Sequence, residues 1–271
     1  MKTCLPYLLL FILAMPAFAT DKDVSSLDTL LDQASTDLDK GNFDIAIDLF
    51  SRAIKLDPQS MIAYLGRATC RGKKGDFQGA IQDCTQAIAI DPKYADTYYV
   101  RGILKDHLGD IAGSLADLNR SIQLDPKDAD AFDARGNTRQ EYGDVNGALA
   151  DYTQAVALDS KSVEPAAWAE ALDSRALVRG KSGDIKGALA DLDKAAKVDP
   201  TDADIFFDLG GVKQTAGDLD GAIEDFTKAI EINPKYAAAY GSRASSKRVK
   251  GDLKGYETDR DQAHKLDPDS Y

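Results

Sequence analysis

Apolar residues recur three and four positions apart along most of this 271-residue chain, the spacing that lays them on one face of a helix. No stretch alternates apolar and polar residues in the way a half-buried strand would. The helical runs are short and evenly punctuated. A Gly-Asp or Gly-Asn pair begins at Gly41, Gly75, Gly109, Gly143, Gly183, Gly217 and Gly251, at intervals of 34, 34, 34, 40, 34 and 34 residues. Sixteen residues after each glycine stands a second turn signal: Asp57-Pro58, Asp91-Pro92, Asp125-Pro126, Asp159-Ser160, Asp199-Pro200, Asn233-Pro234 and Asp267-Pro268. The glycine can take the left-handed conformation that ends one helix, and the Asp or Asn after it can cap the next. A residue before proline is pushed out of the helical region, which ends the second helix. Each unit therefore predicts a helix, a tight turn, a second helix and another turn.

Small residues mark where helices approach closely: Ala34, Ala46 and Ala53, then Ala68, Ala80 and Ala87, with later sets such as Gly136, Ala148 and Ala155. Large apolar residues (Phe50, Leu118, Tyr152, Leu192, Phe226) lie between them. The pattern resembles the tetratricopeptide repeat, with 34 residues per unit, an aromatic early in the first helix (Tyr64, Tyr98, Phe132, Phe206, Tyr240), Gly or Ala four residues later and a closing proline. The resemblance covers roughly residues 25 to 268. It implies an all-α, right-handed superhelical solenoid of seven antiparallel helix pairs, with an inner groove lined by the first helix of each pair. The repeats are expected at about 27–60, 61–94, 95–128, 129–162, 169–202, 203–236 and 237–270, with an insertion at about 161–168.

One charge pattern repeats with the fold. Arg67, Arg101, Arg135, Arg175 and Arg243 each precede an acid by sixteen residues: Asp83, Asp117, Asp151, Asp191 and Asp259. Such copying predicts a ladder of structural ion pairs between first and second helices, within a repeat or from one to the next. A catalytic dyad would not recur along a stack. Gln33 and Leu49 replace both charges in the first repeat, and Leu209 leaves Asp225 without its arginine in the sixth.

Departures from a regular array point to function. The 40-residue interval places Pro165 and the single tryptophan, Trp168, near six extra residues. This reads as a first helix lengthened at its start, with Pro165 in its first turn, and Trp168 as either a packing or a protruding aromatic. Cys84 stands where other repeats have a large core residue, and Cys70 lies roughly level with it on the neighbouring helix. A disulfide or two buried thiols are the alternatives. The last repeat has Tyr256 and Arg260 at small and large apolar positions, a polar end cap.

Carried over from the family, the groove positions fall on Asp96, Tyr99 and His107, on Asp130, Asp133, Asn137 and Glu141, and on Asp173 and Phe207. The resemblance implies an acidic groove with a few aromatics. Family members that grip a chaperone's terminal carboxylate use Lys and Arg there, so that clamp is not expected. A groove for a basic or aromatic extended segment is.

Residues 1–19 stand apart: Lys2 is the only charge, an apolar run extends from Leu5 to Met15, and Ala17-Phe18-Ala19 suits a signal peptidase. They read as a secretory leader cleaved after Ala19, giving a periplasmic or secreted protein. The 33 basic and 45 acidic residues give a net charge of −12, or −13 once Lys2 is removed, which disfavours nucleic acid as a partner. Only His107 and His264 occur, with no nucleophile beside either, and no metal-ligand spacing is present. The expected function is a non-catalytic scaffold or adaptor, without cofactor, metal or membrane span in the mature chain, for a basic or neutral protein or peptide. A structural or assembly subunit that uses its ends or convex face is the alternative.

Overall fold

The computed structural model describes residues 21–159 and 165–269. The leader read at residues 1–19 and the start of the insertion, 160–164, lie outside the described residues. Among these, fourteen helices run in chain order: α1 (Asp21–Asp39), α2 (Phe43–Leu56), α3 (Met61–Lys73), α4 (Phe77–Ile90), α5 (Ala95–His107), α6 (Ile111–Leu124), α7 (Ala129–Glu141), α8 (Val145–Asp159), α9 (Pro165–Lys181), α10 (Ile185–Val198), α11 (Ala203–Thr215), α12 (Leu219–Ile232), α13 (Ala237–Val249) and α14 (Leu253–Leu266). Helices α1–α6 form one compact body and α7–α14 a second, divided between Pro126 and Lys127. Within each body every odd-numbered helix packs on the next to make a pair, and pairs follow one another in chain order. The fold is an all-α repeat of helix pairs.

The punctuation works as its chemistry dictates. Gly75 takes φ +84°, closed to most side chains, and Asp76 N–H reaches back to the Arg71 carbonyl at 2.9 Å to close the end of α3. Asp76 then caps α4, its carboxylate accepting from Gly79 N–H at 3.0 Å. Asp110, Asp144, Asp184, Asp218 and Asp252 repeat that cap at 2.9–3.0 Å. Asn42 does not cap α2 with its side chain, which donates to Asp37 instead. At the other end Asp57 lies in extended backbone before Pro58, as the pre-proline restriction requires.

Size complementarity sets how closely each pair packs. Gly136 faces Tyr152, and a Cβ on Gly136 would stand 2.7 Å from the Tyr152 ring. Gly210 faces Phe226 and Gly102 faces Leu118 with the same closeness. Ala68 and Ala176 occupy the same repeat position, with Cys84 and Leu192 sixteen residues further on. Tyr152, Phe226, Leu118 and Leu192 are fully buried, each contributing about 1.5–3 kcal/mol of hydrophobic stabilisation.

The insertion lengthens α9 to 17 residues against 13 in α7 and α11. Its first residue is Pro165, where the repeat register would start the helix at Ala169. Proline fits there because the first turn of a helix has no intrahelical use for its N–H. Trp168 does not protrude: it is half-buried against the cluster containing Val156, Ala169 and Leu172. Cys70 and Cys84 are both free and buried. They belong to different apolar clusters, Cys70 with Phe50 and Ala63, Cys84 with Ala68 and Leu104. The structure thus has the buried thiols rather than the disulfide.

Candidate functional site: carboxylates on the first helices

Acidic residues fall into two chemically distinct sets. The first set is one aspartate on the second helix of each of repeats two to seven, gripped by cations of its own repeat. Arg67 holds Asp83 with two parallel bonds, Nε to Oδ2 at 2.9 Å and Nη2 to Oδ1 at 2.6 Å. Arg101–Asp117, Arg135–Asp151, Arg175–Asp191 and Arg243–Asp259 repeat this fork. A second cation four residues later adds to each: Arg71, Lys105, Arg139, Arg179 and Lys247 reach the same carboxylates at 2.7–2.8 Å.

The ladder arginine also touches its surroundings. Arg67, Arg101, Arg135 and Arg243 lie 5.5–5.7 Å over the rings of Tyr64, Tyr98, Phe132 and Tyr240. Arg67, Arg101 and Arg243 donate through Nη1 to Ser51, Thr85 and Thr227 of the preceding pair. One guanidinium thereby ties three helices together. The ladder is a structural device, placed within repeats and extended between them.

Charge balance shows in the titration of these acids. Burial pushes Asp259 up, but the hydrogen bonds from Arg243 and Lys247 outweigh it and hold the carboxyl below its usual range. In the sixth repeat Leu209 replaces the arginine and only Lys213 reaches Asp225, at 2.6 Å. There burial wins, and Asp225 is raised.

First-helix acids have different company. In the first body, Asp96 is exposed and hydrogen-bonds with the Tyr94 side chain. Tyr99 is half-buried. His107 stacks on Phe77 with ring centroids 5.0 Å apart and planes at 12°. Asp106, on the same helix, has a buried Oδ1 that receives no hydrogen bond.

In the second body, Asp130 and Glu141 are exposed and Asp133 is half-buried. Asn137 donates to Asp133 at 3.0 Å and accepts from the Tyr152 hydroxyl at 2.6 Å. Gln140 lies 2.9 Å from that same hydroxyl. Asn137 thus carries the polar end of a core tyrosine besides facing outward. Phe207 packs at 5.0 Å on Tyr236 and 5.7 Å on Phe226, and Tyr236 donates to Asp204 at 2.6 Å.

Asp173 and Asp208 form the least expected pair. Their carboxyls act on each other across α9 and α11. Burial, with neighbouring carboxylates adding to it, raises both well above the usual carboxylate range. Sequence reasoning named Asp173 but not Asp208. The available signal was its position: Gly66, Val100, Ala134, Ser174 and Ser242 occupy the equivalent place in other repeats, so an acid there breaks the pattern.

Among the described residues no group of three His, Cys, Asp or Glu side chains is arranged to hold a metal ion, and no helix is long and apolar enough to cross a membrane.

Similar solved structures share the fold at low identity. A chain of the anaphase-promoting complex hetero-tetramer Cut9–Hcn1 is 20% identical with a TM-score of 0.73 over 81% of this chain, which spans 42% of that chain. PilW, a widely conserved type IV pilus biogenesis factor, is 18% identical with a TM-score of 0.70, covering 78% of this chain and 94% of its own. YrrB, a TPR protein with an unusual peptide-binding site, is 22% identical with a TM-score of 0.55, covering 69% and 93%. No curated protein matches the chain. One tetratricopeptide repeat family model matches residues 31–95 and 174–244, and a second matches 95–128. With half the chain under the first of these models and the repeat visible in its turns, caps and helix pairs, the chain belongs to the tetratricopeptide repeat family.

Proposed function

We propose that this protein is a non-catalytic scaffold of the cell envelope that holds a basic or neutral protein, or an extended peptide segment, against acidic first-helix faces. The observation that carries the reading is the contrast between the two sets of carboxylates. The ladder aspartate of each second helix from α4 to α14 is held by internal arginines or lysines, whereas Asp173, Asp204 and Asp208 lie among other carboxyls and beside a tyrosine hydroxyl. A Lys or Arg side chain brought to that face would meet carboxyls that make no internal salt bridge and would favour their ionised form, and Phe207 and Tyr236 offer ring faces beside it. Helix-borne side chains hold such a segment without rearrangement. Two of the similar structures are of proteins described by a peptide-binding site and by pilus biogenesis, roles consistent with a binding scaffold.

The envelope location rests on Lys2, the apolar run from Leu5 to Met15 and the Ala17-Phe18-Ala19 site. Fractionation of the native cells, with the intact mass of the isolated protein, tests it. Protein in the envelope fraction beginning at Thr20 is the expected result; a cytosolic chain retaining Met1–Ala19 would refute it. The binding face is tested by titrating the protein with ten-residue peptides of equal length that carry Lys and Tyr, or Glu and Tyr. Binding should favour the Lys series and weaken as salt is raised. Equal binding of both series would overturn the acidic-face reading.

A further inference from the structure

The seventh pair departs from the sixth at three places that line one cavity. Counting 34 residues back, Gly241 of α13 stands for Phe207, and Tyr256 and Arg260 of α14 stand for Ala222 and Phe226. In the sixth pair the rings of Phe207 and Phe226 lie 5.7 Å apart, and Phe226 is buried against Gly210. Both rings are missing from the seventh pair. An open cavity of about 190 Å³ lies there, lined by Gly241, Ala244, Ser245, Arg248, Tyr256 and Arg260. Arg260 does not fill the slot as Phe226 does, because a guanidinium keeps its head in water.

Positive charge stands at this cavity with little internal use. The guanidiniums of Arg248 and Arg260 lie 5.6 Å and 5.5 Å from the Tyr256 ring centroid, so one ring holds both in place. Arg260 pairs with its exposed neighbour Asp261, a contact worth little in water. Arg248 makes no ion pair among the described residues, and the Ser245 hydroxyl makes no hydrogen bond there. The other nearby cations are engaged: Arg243 and Lys247 by Asp259, and Lys250 by Asp220. Residues at the place of Arg248 in earlier repeats, such as Gln140, Gly180 and Gln214, carry no positive charge. A polar end cap accounts for Arg260. It does not call for an unpaired arginine on α13, or for a glycine lining the same cavity.

We propose that this cavity holds the side-chain carboxylate of an Asp or Glu in the bound segment. This extends the acidic-face reading above, on which it rests, along the same row: Asp173 of α9, Phe207 of α11 and Gly241 of α13 occupy one repeat position. From α9 to α14 the face therefore runs from carboxyls, through the Phe207 and Tyr236 rings, to two guanidiniums. A segment that matches it carries a basic residue towards one end and an acid towards the other, with an aromatic or apolar residue between. Guanidiniums present planar forks of donors that suit a carboxylate, and the Tyr256 ring fixes them before it arrives. A uniformly basic segment would bring like charge against Arg248 and Arg260. The order of charges thus sets the direction in which a segment lies.

Fluorescence anisotropy of the full chain with end-blocked ten-residue peptides tests this, since blocked ends leave side chains as the only charges. Each peptide has Lys near one end, Tyr in the middle and either Glu or Gln near the other end, in both orders. In one order the Glu peptide should bind about tenfold more tightly than its Gln counterpart, the return from a charge-assisted hydrogen bond. That gap should shrink with Arg248→Gln and close when Arg260→Gln is added. Both side chains are exposed, and circular dichroism checks that the helices persist. Equal binding of Glu and Gln peptides in both orders would overturn the proposal, and so would a gap that survives in the double variant. Replacing Lys by Gln in the same peptides reads the acidic face separately. Loss of the Lys preference with the Glu gap intact would sink the acidic-face reading alone, whereas a Lys preference without the gap would sink this one alone.

Discussion

Arg135 and Asp151 meet through two parallel hydrogen bonds, 2.9 Å from Nε and 2.6 Å from Nη2, with the carboxylate almost wholly removed from water. Arg139 closes on the same carboxylate at 2.7 Å. A fork of this kind is worth most when one partner is taken away, because the other is then left buried and charged. Arg135→Ala should cost about 3 kcal/mol, the low end of the range for a broken buried pair, since Arg139 stays. Arg135→Lys keeps the charge but loses the fork, and should cost roughly 1.5 kcal/mol. Urea denaturation of the two variants checks both values and their order.

Gly136 and Tyr152 make a second prediction. A methyl group on Gly136 would stand 2.7 Å from Tyr152 Cε1, and the ring cannot withdraw without giving up its hydroxyl contacts with Asn137 and Gln140. Gly136→Ala should destabilise the chain by about 1–3 kcal/mol. Combined with Tyr152→Leu, which reproduces the Ala176–Leu192 arrangement, the two changes should cost less together than the sum of each alone. A double-mutant cycle should give a coupling of roughly 1 kcal/mol or more.

Leu209 stands where the ladder would have an arginine, and it is buried in its own apolar cluster. Leu209→Arg would complete a fork on Asp225 but forfeit about 1.5–3 kcal/mol of leucine burial, comparable with the charged hydrogen bonds gained. Net stability at neutral pH should therefore change by less than about 1 kcal/mol. What changes is the pH dependence. Burial raises Asp225 in the wild type, so its contribution is present at low pH and lost as pH rises through the raised value. With a second cation it should behave as Asp259 does, held low by Arg243 and Lys247, contributing at neutral pH and losing that contribution in acid. The stability difference, variant minus wild type, should grow from acid to neutral pH. Denaturation midpoints across that range measure it.

Cys70 and Cys84 should be inert in the folded chain. Burial pushes both thiols up to about 12, so neither offers thiolate near neutral pH. Iodoacetamide labelling read by intact mass should be negligible in native buffer and complete in denaturant. Fast native labelling at either cysteine would contradict the packing described for the second repeat.

The repeat, the helix pairs and the Arg–Asp ladder were legible because each copies itself every 34 residues, so spacing alone exposes the pairing. The second cation of the ladder is as periodic as the first, yet Arg71, Lys105 and Lys247 read as ordinary basic residues near a helix end until their distances to Asp83, Asp117 and Asp259 are seen. Repeat position could say which side chains lie on the first-helix face but not what they touch. Asn137 is engaged by Tyr152, His107 by Phe77 and Phe207 by Tyr236, three contacts set by the identity of one partner in one repeat. Asp208 was missed for the related reason that its importance comes from Asp173, a residue of the preceding pair.

The most direct test of the binding role is capture from native envelope extract, comparing wild-type protein with a variant carrying Asp130→Lys, Asp133→Lys and Asp173→Asn and shown by circular dichroism to keep its helices. Asparagine at position 173 removes the ionisable group without placing a cation beside Asp208. The expected result is that proteins retained by the wild type in a salt-sensitive manner are lost from the variant. Retention of the same proteins, to the same extent and at the same salt, would contradict the account.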